Sequence, residues 1–462
     1  MERVRWLDGI RAIAAISVSF NHYIMGEFAT PYNSFWAAPA SDNRWFFQLP
    51  VLRFPFAVHS MVPLFLIIGG YGISLSIVQS CRGESAFSRY FQLALLRRWL
   101  RLYLPVVPIT ILAHIAYFIG ITTRPFPAHV TKGLQPWTAP LQHFKYFIEY
   151  LVDIVEPVSM AWHENFNNQT WTIPVIFRGS CVLYLTLLGS SLWNTSYRLT
   201  GMIALAFYFT YQGNWDLFCF LGGAWLAEVV TLLKTDYEWC IGSPKLFSRR
   251  PTSSRVRLVG LAKTLVLFAG LWLMCFEGNE STGEAHVGYQ WLASIRSRRW
   301  AASKPNEFSV IRSCWQSLGG LMVTSVVATS PCVARPLETP VLQYLGKISF
   351  SWYLVHQLPP IILKGPLRDF FWTLLRPQES PHPVMDDALK HPWTLFVVWM
   401  ATAGIIFSLT WLFAHFYYQQ VEEKSGPLSK WIEAWFNAPK DRDLESKPHL
   451  PVGHMNKKFE KP

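Results

Sequence analysis

The apolar residues of this chain gather into runs of about 17–25 residues, long enough at 1.5 Å per residue to cross a hydrocarbon slab of about 30 Å. Ten such stretches stand out, at 9–28, 61–79, 100–120, 171–193, 199–212, 216–233, 258–276, 315–331, 341–363 and 393–418. The stretch 142–155 carries charges among its apolar residues and predicts an interfacial helix rather than a crossing. The pattern therefore predicts an all-α fold, a polytopic membrane helix bundle of about ten transmembrane helices. The basic residues before Gly9 are too few to form the leading region of a cleaved signal, and no small-residue cleavage site follows, so the first run reads as a retained span. Residues 1–420 form the predicted transmembrane domain. Residues 421–462, rich in Pro, Lys and Glu, read as a polar cytoplasmic tail, partly disordered, that frays beyond about Pro439.

Composition agrees with the pattern. Of 462 residues, 51% are hydrophobic and only 15% charged, against about 25% charged in soluble domains. That excludes a secreted soluble enzyme and a disordered scaffold. The formal net charge of +12 would suggest polyanions in a soluble chain. In a membrane protein it reflects Lys and Arg kept in cytoplasmic loops, and no nucleic-acid partner is expected. An even number of spans puts both termini on one side. With that side cytoplasmic, the basic clusters at 82–101 and 234–257 both fall inside. Seven cysteines show no CxxC or Cys/His ligand spacing, so neither a disulfide framework nor a metal site is expected. No fixed-period repeat and no inverted pair of Gly/Pro-broken helices is present.

Charged and titratable side chains are expensive at membrane depth, by about 2.5–3.5 kcal/mol on insertion scales, so those inside the runs mark candidate chemistry. Arg11 and His22 lie eleven residues apart, almost three helical turns, and so share a face about 16 Å apart along the axis. Asp8, three residues before Arg11, can pair with it. Arg98 and Arg101 sit one turn apart at the start of the third run, with Arg97 beside them. Guanidinium forks suit phosphate oxygens, and a phosphate-bearing cofactor on the cytoplasmic side would be gripped there with its reactive end aimed along the first span at His22. Taken singly, each of these residues reads equally well as a snorkelling anchor or a hydrogen-bonded bundle histidine. In the ninth run Ser349, Tyr353 and His356 fall on one helical stripe that could line a polar cavity, and Glu228 is a further buried candidate, either cavity-lining or paired with a neighbouring helix.

These residues sit in stretches that resemble the acyltransferase type 3 transmembrane family. The stretches are Leu7-Asp8-Gly9-Ile10-Arg11-Ala12-Ile13-Ala14-Ala15, the Arg11/His22 spacing, Arg98-x-x-Arg101, and Gly346-Lys-Ile-Ser-Phe-Ser-Trp-Tyr-Leu-Val-His356. Pro63-Leu-Phe-Leu-Ile-Ile-Gly-Gly-Tyr-Gly-Ile-Ser74 is similar to the family's second-span signature, and Trp171-Thr172-Ile173-Pro174-Val175 to its mid-chain Trp motif. The likeness runs in order from about residue 5 to about residue 420, and Arg178-Gly179-Ser180 is similar to fungal members. The resemblance implies an integral-membrane O-acyltransferase. It would move an acyl group, often acetyl, from acyl-CoA as co-substrate to a hydroxylated small-molecule acceptor such as a secondary metabolite, with no bound cofactor. It also implies that His22 is the essential histidine and that Arg11, Arg98 and Arg101 engage the CoA donor.

The family usually places an acidic residue five positions after the motif Trp. Here that position is Ile176, and Glu164 and Glu228 are the acidic residues considered as substitutes for it. A small-molecule transporter or permease and an inactive family member are the competing readings. Acyl transfer from a thioester to an alcohol needs a held donor and a base for the hydroxyl proton. Histidine can act as that base, or can carry the acyl group itself. The loops 30–60 and 122–170, rich in aromatic residues, are the expected readers of a bulky apolar or ring-shaped acceptor.

Overall fold

The computed structural model describes residues 4–25, 27–80, 84–123, 125–156, 165–242, 253–279, 284–302, 307–380 and 385–436. Glu164 and the tail beyond residue 436 lie outside them. The longer helices are α1 (Arg5–Ile24), α2 (Met61–Ser80), α3 (Glu84–Tyr103), α4 (Val106–Phe118) and α5 (Pro140–Val155). They continue as α6 (Thr172–Gly189), α7 (Thr195–Tyr211), α8 (Trp215–Gly242), α9 (Ser253–Met274) and α10 (Glu307–Thr329). The last are α11 (Pro340–Lys347), α12 (Ser349–Val355), α13 (Leu358–Leu375), α14 (Pro392–Tyr417) and α15 (Glu423–Phe436). Among the described residues the one sheet is a two-residue pairing of Gly278–Asn279 with Glu284–Ala285.

Six helices among the described residues are long and apolar enough to cross a membrane, and seven if the helix over 308–329 and the turn of helix after it, bent by 105°, count as one crossing. By this measure the count of about ten is not reached. The stretches that fall short carry their own reason. Helix α1 holds Arg5, Asp8 and Arg11, α13 holds Lys364, Arg368 and Asp369, and α7 has only 17 residues. The stretch 341–363 is not one helix but α11, α12 and the start of α13, with breaks at Ile348 and at His356-Gln357. Pro359 and Pro360, just past the second break, lack the N–H groups that would carry the helix through it.

The outward faces are apolar. Leu258, Leu261, Leu265 and Phe268 of α9 are all more than half exposed, as no water-soluble surface of this size would leave them. This is a membrane protein. Helix α5 shows the two-sided pattern expected of an interfacial helix: His143, Tyr146, Tyr150 and Ile154 face inward, while Leu141, Phe144, Ile148 and Val152 face out.

Helices α2 and α8 form the tightest pair. A methyl group on Gly70 would collide with the backbone carbonyl of Phe220, and one on Gly223 with that of Ile67. With no water to drive them together, membrane helices pack by such close backbone approach. Gly346 of α11 meets the Asp8 backbone of α1 in the same way, which brings the start of α1 against the Gly346-Lys347 segment.

Beyond α14 the chain continues through a π-helical turn, Tyr418–Glu422, into α15, which packs along α3. The polar residues at the start of the expected tail are thus part of the bundle.

Candidate active site

A cavity of about 820 Å³ opens between α1, α2, α3, α6 and the α11–α12 segment, within the size range of small-molecule sites. Four arginines converge on it: Arg11 from α1, and Arg97, Arg98 and Arg101 from α3. The three-residue spacing of Arg98 and Arg101 puts both on the inward face of α3, and α1 supplies Arg11 because Gly346 lets α11 hold its first turns close.

The four guanidinium groups are not equivalent. Arg11 Nη1 donates to Asp8 Oδ1 at 3.2 Å, the pairing that the three-residue spacing predicts. Arg97 is gripped by both carboxylate oxygens of Glu433 on α15, with Nη2 donating to Oε1 at 2.6 Å. Arg98 donates only to a hydroxyl, Ser180 Oγ, at 3.3 Å. Arg101 makes no ion pair among the described residues and is exposed to the cavity. Lys347 adds a fifth cation on the lining and stands 5.0 Å from the ring centroid of Tyr418. Asp8 and Glu422 are the acidic residues on the lining. The wall is thus strongly positive, with its least neutralised charges at Arg98 and Arg101.

Glu422 escaped the sequence reading. It belongs to the π-helical turn, and one carboxylate oxygen accepts hydrogen bonds from the backbone N–H of Ser351 at 3.1 Å and from its hydroxyl. The signal was an acidic pair, Glu422-Glu423, directly at the end of the last apolar run, where a tail would carry no such charge against the bundle. Lys347 lay inside the Gly-Lys-Ile-Ser stretch without a role.

Of the stripe Ser349, Tyr353 and His356, the first two line the cavity and His356 does not. The Tyr353 hydroxyl donates to the Gln169 carbonyl at 2.9 Å and lies 3.0 Å from Thr172 Oγ1, tying α12 to the Trp171-Thr172 segment. Ile176 also lines the cavity, so the position where an acidic residue is usual in the resembling family faces the cationic wall. Its backbone carbonyl accepts from Ser180, the hydroxyl that Arg98 holds.

His22, His356 and Glu228 do not line this cavity. Glu228 is buried, and its two carboxylate oxygens share the Arg198 Nε–H at 3.0 and 3.2 Å, a pairing with the neighbouring helix α7. His22 sits near the end of α1, beyond the cavity, and is exposed. It connects to the cavity through a row of rings: Tyr353 and His356 centroids are 5.7 Å apart, and His356 and His22 centroids 5.4 Å apart. The structure therefore brings Arg11, Arg98 and Arg101 together and leaves His22 behind Tyr353 and His356.

A family model described as an acyltransferase domain matches residues 4–415, nearly all the chain. The chain belongs to the type 3 acyltransferase family. The chain is similar to O-acetyltransferase PaAT-1 of Phomopsis amygdali, 25% identical over 92% of this chain and 84% of the relative. Acyltransferase clz18 of Cochliobolus lunatus is 22% identical over 80% of this chain and 85% of its own length, and acyltransferase R4 of a Phoma species 21% identical over 76% and 81%. No solved structure matches the chain. The family match spans α1 to α14, and so includes the four arginines, the Tyr353–His356 row and His22, while Glu422 and Glu433 lie just past it.

Proposed function

We propose that this acyltransferase moves an acyl group, acetyl foremost, from acyl-CoA to a hydroxyl of a small-molecule acceptor at the membrane. The observation that carries the reading is the cationic cavity. Arg98 and Arg101 present guanidinium groups with no carboxylate partner among the described residues, on a wall that also holds Arg11, Arg97 and Lys347. Charge-assisted hydrogen bonds from such forks suit the phosphates of a CoA-type donor. We place this side in the cytoplasm, with both termini and about ten crossings: the seven of sufficient length and apolarity together with α1, α7 and the α11–α13 segment.

The donor lies in the cavity with its thioester toward Tyr353. The ring of Tyr353 swings out of its contacts with Gln169 and Thr172 to admit the acyl end to His22, and the acceptor reaches His22 from its exposed side. His22 removes the acceptor's hydroxyl proton, the oxygen attacks the thioester carbon, the C–S bond breaks, and the proton passes to the CoA thiolate. Transfer through an acyl-His22 intermediate uses the same arrangement in two steps.

The acceptor is a hydroxylated molecule from secondary metabolism, and acetyl is the foremost acyl group because the relative PaAT-1 is an O-acetyltransferase. The test is incubation of membranes carrying the protein with labelled acetyl-CoA and a panel of hydroxylated terpenoid, polyketide, sugar and lipid acceptors. Label is expected in an ester product with the wild type and at background with His22→Ala. Equal labelling by His22→Ala in folded, membrane-inserted protein, or label movement across the membrane without ester formation, would overturn the reading.

A further inference from the structure

His356 and His22 belong to different elements, the end of α12 and the last turn of α1, yet their imidazole rings face each other with centroids 5.4 Å apart and planes tilted by 36°. His356 is 1% exposed. Its Nδ1 lies 2.7 Å from the Tyr353 carbonyl oxygen. A carbonyl can only accept, so Nδ1 carries the proton, and in the neutral ring Nε2 is left as a bare acceptor. That Nε2 is buried and has no hydrogen-bond partner among the described residues. An unmatched buried acceptor is costly, which calls for a role.

The neighbouring ring supplies one. Each imidazole nitrogen stands about 1.1 Å out from its ring centroid, so small rotations of the two facing rings bring nitrogen to nitrogen within hydrogen-bonding range. A histidine that works as a base needs its second nitrogen held by an acceptor, which fixes the tautomer and steadies the imidazolium that forms.

We propose that His356 is the positioning residue of His22: its Nε2 accepts the N–H of the His22 imidazole and so directs the other His22 nitrogen, with its lone pair, at the substrate. The inference rests on the acyl-transfer reading for its chemistry. In the transfer step the acceptor hydroxyl gives its proton to that second His22 nitrogen, the new C–O bond forms as the C–S bond breaks, and the proton leaves with the CoA thiol. The N–H shared with His356 stays in place throughout, and Tyr353 anchors His356 through its backbone carbonyl.

The test compares His356→Phe, which fills the space without an acceptor, with His356→Gln, whose side-chain carbonyl can accept from His22. Acetyl transfer should fall by about 100-fold or more in kcat for His356→Phe at unchanged KM for acetyl-CoA, and His356→Gln should recover to within about tenfold of wild type. A second readout needs no substrate: the rate at which diethyl pyrocarbonate modifies the exposed His22, followed by peptide mass. It should drop several-fold in His356→Phe and hold in His356→Gln. Wild-type kcat and wild-type His22 reactivity in His356→Phe would overturn the proposal, as would equal loss in both variants. Should the wild type release no CoA from acetyl-CoA while His22 reactivity still depends on His356, the donor assignment fails and the histidine pair stands.

Discussion

At the scale of single residues, the decisive contrast is among four arginines on one wall. Arg97 already has a carboxylate, Glu433, and Arg11 has Asp8, whereas Arg98 holds only the Ser180 hydroxyl. A guanidinium whose charge is met gains less from a phosphate than one whose charge is not, because a hydrogen bond to a charged group is worth about 1.5–3 kcal/mol only when it replaces water. Arg98→Ala should therefore raise the KM for acetyl-CoA by about 10- to 100-fold with little change in kcat. Arg97→Ala should raise it by less than about threefold on the same argument. Ser180 stays satisfied in the Arg98 variant through its bond to the Ile176 carbonyl, so the fold has no reason to suffer. Steady-state kinetics on both variants checks this, and equal shifts would mean that the ion pairs do not rank the arginines. The Arg98-Arg101 and Arg11-His22 spacings were legible because one helix fixes them. Glu422 was not, because its place on the cavity depends on how α14 and α12 meet, which no local spacing records.

At the scale of elements, the loop that follows α9 is pinned by a buried charged cluster in which Arg53, Glu277 and His286 lie outside the spans and His59 and Arg312 come from the first turns of two of them. Arg53 Nη1 lies 2.8 Å from His286 Nδ1. Since the guanidinium can only donate, that nitrogen accepts and the ring is neutral. Burial, and then the Arg53 charge, push His286 down to about 4, with Glu277 pulling weakly the other way. Glu277 in turn accepts from Arg312 at 2.9 Å and stands 3.2 Å from His59. Burial works against its charge, but His59 and Arg312, with Arg53 behind them, hold its carboxyl well below the usual range.

The signs follow from linkage. The unfolded chain protonates His286 near 6.5 and the folded one only near 4, so this contribution to stability is complete above about pH 6.5 and is lost as pH falls toward 4. Glu277 adds a further loss at lower pH, as its carboxylate protonates. Thermal unfolding in detergent should thus show a midpoint that falls between pH 6.5 and 4, with a shallower slope in that window for His286→Asn. An unchanged slope would remove His286 as the titrating group. The break of the ninth run into α11, α12 and α13 belongs to this scale as well. Pro359-Pro360 signalled a helix start, but an apolar run of the right length masked the two interruptions before it.

At the scale of the whole molecule, the chain is a bundle in which one row of rings, Tyr353, His356 and His22, runs from the cationic cavity to the exposed histidine near the end of α1. The helical, membrane-embedded class was plain from run length and charge scarcity. What the runs concealed is that α1 and α13 carry too much charge, and α7 too few residues, to qualify by apolarity alone. The account stands on a division of labour: α3 and the start of α1 hold the donor, and the end of α1 performs the transfer. The measurement that reaches this most directly is acetyl-CoA binding by titration calorimetry, set beside single-turnover acetyl transfer, in wild type, His22→Ala and the Arg98→Ala/Arg101→Ala double variant. The account predicts full binding without transfer in His22→Ala, and binding weakened by more than about tenfold in the double variant. Undiminished binding in the double variant, or transfer by His22→Ala at the wild-type rate, would contradict it.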